Sequence, residues 1–247
     1  LIEEFKAAGY QYSDDINNLG QITQLPAIGL YAEKGLPYAI DEHPNRLARL
    51  TTKTLDLLDG QNKEGFFVMI EGSQIDWCGH ANDIACAMAE MDDFAKSVEK
   101  AKAYVDKNQD TILIVTADHS TGGLTLGAHG QYKWDTEIVK GVKASAGKLT
   151  SLLMDASDLK TVWSANTNIE FSSEHQIKLE QAKKMGKKPL NLAIKSIIND
   201  ASFTGWTTGG HTAVDVQVFA YGKGSEQFTG SQNNTDIADK LIAFIEK

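Results

Sequence analysis

Gly65-Phe66-Phe67-Val68-Met69-Ile70-Glu71-Gly72-Ser73-Gln74-Ile75-Asp76-Trp77-Cys78-Gly79-His80 is the stretch from which the chain is read. Phe66 to Ile70 is a continuous bulky apolar run of strand length, the pattern of a strand buried on both faces. The run ends in a carboxylate, Glu71, and a glycine, and a second carboxylate, Asp76, and an imidazole, His80, follow. A buried strand that delivers oxygen and nitrogen donors at its end is what a metal site in an α/β protein needs.

Working outward, Asn82 to Val105 carries the strongest helical periodicity. Ile84, Ala87, Met88, Met91, Ala95, Val98, Ala101 and Val105 recur at three- and four-residue steps. Met88 and Met91 read as core packing rather than a soft-metal site. A second apolar run, Ile112 to Val115 within Thr111–Ala117, again ends in donors, Asp118 and His119. Strand, helix and strand from Phe66 to Ala117 make a βαβ unit, which predicts parallel neighbouring strands and a right-handed crossover. Ligands of such sheets collect at the C-terminal strand ends, where both donor groups fall.

Toward the N-terminus the pattern predicts a short helix closed by Gly9, a strand near Tyr10–Tyr12 and an apolar run Ala27–Tyr31. A loop with Pro37 and Pro44 follows, then a helix from Arg46 to Asp59 with Gly60 as its cap. From Gly122 to about Thr208 the pattern weakens, with helical signals only at Leu149–Met154 and Leu190–Ile198. This region reads as a variable subdomain or insertion near the site, and its Lys183-Lys184 pair as solvated surface. Gly209-Gly210-His211 then precedes a strand, Val216–Tyr221, and Thr235–Ile245 closes the chain as an amphipathic helix.

At 247 residues, with 42% hydrophobic and 23% charged residues, the chain suits one large α/β domain. A net charge of -9 argues against generic nucleic-acid binding, and no apolar run reaches membrane-spanning length. Arg46 and Arg49 are the only arginines; with four prolines and 21 glycines this suits a flexible, low-temperature protein, although codon bias gives the same lysine excess. On one helix Cys78 and Cys86 would stand about 12 Å apart, too far for a disulfide, so both are expected as free thiols. No signal peptide is recognisable, so any compartment must be argued otherwise.

His43, His129 and His175 read as ordinary hydrogen-bonded histidines. His80, His119 and His211 each lie at the edge of a predicted core element beside another donor or glycine. Asp76, four residues before His80, can share a helical turn and one metal with it. With His211 they give three N/O ligands and room for an exchangeable fourth, the pattern of a catalytic zinc site. Asp118-His119 would serve a second ion, and Glu71, an oxygen donor, suits magnesium. Two zinc ions make a clamp for in-line displacement at phosphorus. Spacing alone supports a metal-dependent hydrolase and does not choose the ester.

Three segments together carry a family resemblance: Glu71 to Asp76 with His80; Thr116-Ala117-Asp118-His119; and His211-Thr212 with Val214-Asp215-Val216. In this order they resemble successive motifs of alkaline phosphatases, and flanking stretches such as Gly29-Leu30-Tyr31 and Phe219-Ala220-Tyr221-Gly222 agree. The resemblance implies a three-layer α/β/α sandwich with a largely parallel central sheet. It also implies two zinc ions and one magnesium per site: Asp76, His80 and His211 at the water-activating zinc, Asp118 and His119 at the second, Glu71 at magnesium. The implied reaction is phosphate monoester hydrolysis through a phosphoserine. A homodimer and a periplasmic or secreted location are implied as well.

Two departures qualify it. The family's serine nucleophile, phosphate-binding arginine, metal-bridging aspartate and magnesium threonine match nothing before Phe66, and Ser73 matches no nucleophile. The chain therefore resembles the C-terminal part of the family, expected inactive without an N-terminal part of the same enzyme. Trp77 stands where family members commonly carry Lys or His to position phosphate, and predicts weaker phosphate retention. A non-catalytic zinc-binding fragment, or another two-metal phosphodiesterase- or sulfatase-like hydrolase, is the alternative.

Overall fold

A computed structural model describes residues 1–42, 45–61 and 64–246; His43 and Pro44 lie outside these. In chain order the elements are α1 (Ile2–Ala7), β1 (Gln11–Ser13), β2 (Ala27–Gly29), α2 (Arg46–Gln61), α3 (Gln74–Ala81), α4 (Ile84–Lys107) and β3 (Ile112–Val115). Then come β4 (Ser120–Thr121), β5 (Leu124–Leu126), α5 (Thr136–Gly141), α6 (Ala146–Asp155), α7 (Leu159–Asn166), α8 (Ser173–Met185) and α9 (Lys187–Ser202). The last are β6 (Thr204–Trp206), β7 (His211–Thr212), β8 (Phe219–Gly222) and α10 (Asn234–Ile245).

The periodic helices form where their apolar stripes and caps predict. α4 starts on Asp83, whose carboxylate accepts from the Cys86 amide at 3.2 Å, an ordinary N-cap. Its buried face toward α2 is unexpectedly polar. Arg46 of α2 donates to both Glu90 oxygens at 2.9 and 2.7 Å, and the Thr51 and Ser97 hydroxyls meet at 2.6 Å. Of the two methionines read as core, Met88 packs into it, whereas Met91 is 44% exposed. Gly60 does not cap α2, which continues through it to Gln61.

The strand expectations need correction. Phe66–Ile70 adopts no paired strand, and among the described residues its backbone makes no hydrogen bond. The βαβ unit with parallel neighbours is therefore not formed. β3 pairs antiparallel with β8, in register Ile112↔Gly222 through Val115↔Phe219. β4–β7 and β5–β6 are also antiparallel pairs, and β1–β2 is parallel. Pairings between residues about a hundred positions apart leave no local signal in sequence, and a strand's period does not reveal its partner.

The weakly patterned stretch holds the main core. Leu149 and Leu153 of α6, Trp163 of α7, Leu179 of α8 and Leu190, Ile194 and Ile198 of α9 are fully buried together. Lys183 is not free surface: its ammonium donates to the Leu153 and Ala156 carbonyls at 2.8 and 2.6 Å, closing the end of α6. This helical body is tied to the turn between α3 and α4. Asp83 accepts from the Ala146 amide at 2.7 Å, Asn199 donates to the Asn82 carbonyl at 3.3 Å and Lys195 donates to the Ala81 carbonyl.

Cys78 and Cys86 form a disulfide, which overturns the free-thiol expectation; their Cα atoms are 5.5 Å apart. The 12 Å distance assumed one helix. Asn82, left-handed at φ 52°, ends α3 and Asp83 starts α4 in a new direction, folding the two cysteines together.

Candidate metal centre

α3 places Asp76 and His80 one turn apart on one face, with a His80 Nε2 to Asp76 Oδ2 distance of 3.4 Å. β7 carries His211, and its pairing with β4 sets His211 opposite Thr121. Gly79 permits the approach of α3 to β4: a Cβ there would lie 3.1 Å from the Thr121 side chain. His211 Nε2 consequently comes within 3.2 Å of His80 Nε2 and 3.8 Å of Asp76 Oδ1. Asp76, His80 and His211 are the group of metal-capable side chains found among the described residues, their ligand atoms all within 4.8 Å of one another.

The protons can be placed by elimination. His80 Nδ1 lies 2.7 Å from the Gly209 carbonyl. A carbonyl only accepts, so Nδ1 carries the hydrogen and Nε2 keeps its lone pair when the ring is neutral. Thr121 Oγ1 donates its one proton to Asp76 Oδ1 at 2.5 Å. His119 Nδ1, 3.2 Å from the Thr121 oxygen, is therefore its donor, and Nε2 keeps its lone pair when the ring is neutral. One hydroxyl thus orients a carboxylate and an imidazole, as supporting residues of metal ligands do.

These donors fit zinc. Tetrahedral ligands at 2.0–2.1 Å from an ion stand roughly 3.3–3.4 Å apart. The 3.2 Å His80–His211 and 3.4 Å His80–Asp76 separations are of that size. With half-exposed side chains (40% for His80, 52% for His211), the group remains open to an exchangeable ligand.

The remaining donors stand differently. His119 stacks on His211 with ring centroids 3.6 Å apart. Its neighbour Asp118 is 88% exposed, with Oδ2 3.3 Å from His119 Nε2. Glu71 is exposed and lines the cleft that leads from Phe66 to the site. Among the described residues neither Asp118 and His119 nor Glu71 belongs to a group of three or more metal-capable side chains. Trp77 is 43% exposed and lies against Gly35, where a Cβ would meet its ring at 2.9 Å. Ser73 precedes α3 and makes no capping bond. His129 and His175 are hydrogen-bonded, to Asp200 at 2.9 Å and to the Glu170 carbonyl at 2.9 Å. Sequence reasoning missed Thr121 and the Gly209 carbonyl; the only clue was their position two residues from a histidine.

The donor group could hold a metal ion, and comparison with known proteins says which family the chain resembles. The alkaline phosphatase family model matches residues 1–247. Alkaline phosphatase 3 of Bacillus subtilis is 40% identical over 252 residues, covering 100% of this chain and 54% of that protein. The crystal structure of a cold-active alkaline phosphatase from a psychrophilic Shewanella shares 45% identity at a TM-score of 0.97. The match covers 100% of this chain and 62% of that one. A TAB5 alkaline phosphatase mutant with magnesium bound matches at 25% identity and a TM-score of 0.64, over 99% of this chain and 55% of that one.

The chain belongs to the alkaline phosphatase family and has its fold. It spans about half the length of the curated relatives it matches.

Proposed function

We propose that this chain contributes the metal-binding part of an enzyme that hydrolyses phosphate monoesters to alcohol and inorganic phosphate. The observation that carries the reading is the meeting of Asp76, His80 and His211, from α3 and the distant β7, in a member of this family. These three would hold one zinc. Asp118 and His119 would hold a second, and Glu71 a magnesium, each completed by groups outside this chain. Bound there, the ions would supply Lewis acidity, lowering the pKa of a water and offsetting phosphate charge.

The chain's own residues would set the geometry. Gly209 and Thr121 hold the His80, Asp76 and His119 donor atoms in place. The serine that takes the phosphoryl group would come from the remaining part of the protein, in a three-layer sandwich with a largely parallel sheet. Residues 122–208 would form a variable subdomain beside the site, and the assembled enzyme would be a homodimer. The Cys78–Cys86 disulfide supports a periplasmic or secreted location, and no helix among the described residues is long and apolar enough to cross a membrane.

Trp77 would hold product phosphate weakly, since an indole offers one N–H and no positive charge. In the complete enzyme, Trp77→Lys should tighten inhibition by inorganic phosphate, by up to about 5-fold for a new surface charge pair; unchanged inhibition removes this role. The function itself is tested with p-nitrophenyl phosphate. The chain alone should be inactive, and joined to the remaining part of the enzyme it should hydrolyse the ester and stop when zinc is chelated. Inactivity of the joined protein would favour a purely structural zinc site.

A further inference from the structure

His80 stands in the last turn of α3, one residue from its end. The last carbonyls of a helix have no amide partners within it, so such a turn frays unless other groups hold it. The Asp83 and Asn82 amides take the Cys78 and Gly79 carbonyls at 3.1 and 2.9 Å. The carbonyls of Ala81 and Asn82 receive donors from α9, 114 and 117 residues further along. The Lys195 ammonium donates to Ala81, and the Asn199 amide donates to Asn82 at 3.3 Å.

Lys195 and Asn199 lie four residues apart, on one face of α9 and one turn from each other, matched to two successive carbonyls. Both are half-buried, whereas Lys187 and Lys188 of the same helix are exposed. Holding a lysine this way sacrifices much of its rotamer freedom. What offsets that cost is position: a cation at a helix C-terminus complements the backbone dipole. The Asp83 charge also favours the ammonium, while burial opposes it and pushes the Lys195 pKa down.

The chain that leaves α9 returns to the same turn. It runs through β6 to Gly209, whose carbonyl accepts from His80 Nδ1 at 2.7 Å, and then to His211. The Gly209 carbonyl fixes the His80 ring, and α9 fixes the backbone that carries the ring.

We infer that Lys195, with Asn199 beside it, is a positioning residue of the metal centre. By holding the Ala81 and Asn82 carbonyls it keeps the last turn of α3 wound. His80 Nε2 thereby stays 3.4 Å from Asp76 and 3.2 Å from His211. The bond of Lys195 is to the backbone, so it acts through the turn and not on the ion. The inference rests on the proposed zinc centre, and it gives the helical body from α5 to α9 a part in that centre.

The test is the zinc affinity of the complete enzyme, measured by competition with a chromophoric chelator, in a cycle of Lys195→Met and His211→Ala. Methionine keeps the apolar stem and removes the donor and the charge. Lys195→Met should weaken zinc binding by about 10-fold where His211 is present, as loss of a group supporting a metal ligand does. In His211→Ala, where the centre is already lost, the same substitution should change nothing further. Asn199→Ala should act in the same direction. Lys195→Arg should restore binding, since it keeps a cation and N–H donors, and Lys188→Met should be silent.

Zinc held by Lys195→Met as tightly as by wild type, or more tightly for want of a repelling charge, would overturn the inference. An equal loss in both backgrounds would overturn it too, because that is general loosening of the fold. A loss in Lys195→Arg as large as in Lys195→Met has the same meaning. If Lys195→Met does not fold, unchanged affinity in Asn199→Ala decides against it. His211→Ala binding zinc like wild type would remove the proposed centre itself, and the inference with it.

Discussion

At the scale of single residues, Thr121 is the most informative side chain that is not itself a candidate ligand. Its hydroxyl meets Asp76 at 2.5 Å and His119 at 3.2 Å, so one proton donor and one acceptor fix two candidate ligands. Thr121→Val keeps the shape and deletes both bonds. Losses of such supporting bonds cost roughly 10- to 100-fold in metal affinity. Competition with a chromophoric chelator should show zinc binding weakened by about 10-fold or more in Thr121→Val, with the circular dichroism spectrum unchanged; equal affinity would remove Thr121 from the site. The donors Asp76, His80 and His211 were legible in the sequence because residue type and position beside core elements are local properties. Thr121 and Gly209 were not, because a hydroxyl or a carbonyl acquires its role only from partners far along the chain.

At the scale of elements, the junction of α3 and α4 governs the geometry of the site. The disulfide closes it between Cys78 and Cys86, two residues beyond Asp76 and six beyond His80. Closing so short a loop restricts the unfolded chain by about 2.5 kcal/mol. Reduction, or Cys78→Ala with Cys86→Ala, should therefore lower the melting temperature by roughly 5–10 °C for a chain of this length; an identical melt with and without reductant would contradict this. Asp83 is the second fastening. Burial pushes its carboxyl up, partly opposed by the amides of Ala146 and Cys86 and by the Lys195 charge.

Because the folded chain holds that proton more tightly than the unfolded chain, the Asp83 contribution is largest below the ordinary carboxylate range. It falls as pH rises through the raised value. Urea melts should show wild type losing stability relative to Asp83→Asn as pH rises above about 4; a pH-independent difference would mean the carboxyl is unperturbed. Sequence periodicity revealed α4, α6 and α9 well, since each buries a stripe of its own, and it found α2 and α10 as well, although α10 buries no residue. Phe66–Ile70 misled because its composition is that of a central strand, whereas no described residue pairs with it. The cysteine pair misled because a single left-handed residue, Asn82, breaks what reads as a continuous helix.

At the scale of the whole molecule, the chain is unequally finished. The helical body from α5 to α9 is closed around Trp163 and its neighbours, while the cleft beside β3 exposes Phe67 and Met69. An open sheet edge flanked by apolar side chains is also an aggregation hazard. The metal centre belongs to this scale as well, because it joins α3 to β7 across 131 residues of sequence. An ion bound there stabilises the folded chain and has little to hold in the unfolded one. Thermal unfolding with zinc and with chelator, in wild type and in His211→Ala, is therefore the direct test. Zinc at about 100 times its dissociation constant adds about 2.7 kcal/mol, or roughly 5–10 °C at this length. The wild type should show that rise and His211→Ala should lose it; an equal rise in both proteins would contradict a zinc centre built from Asp76, His80 and His211.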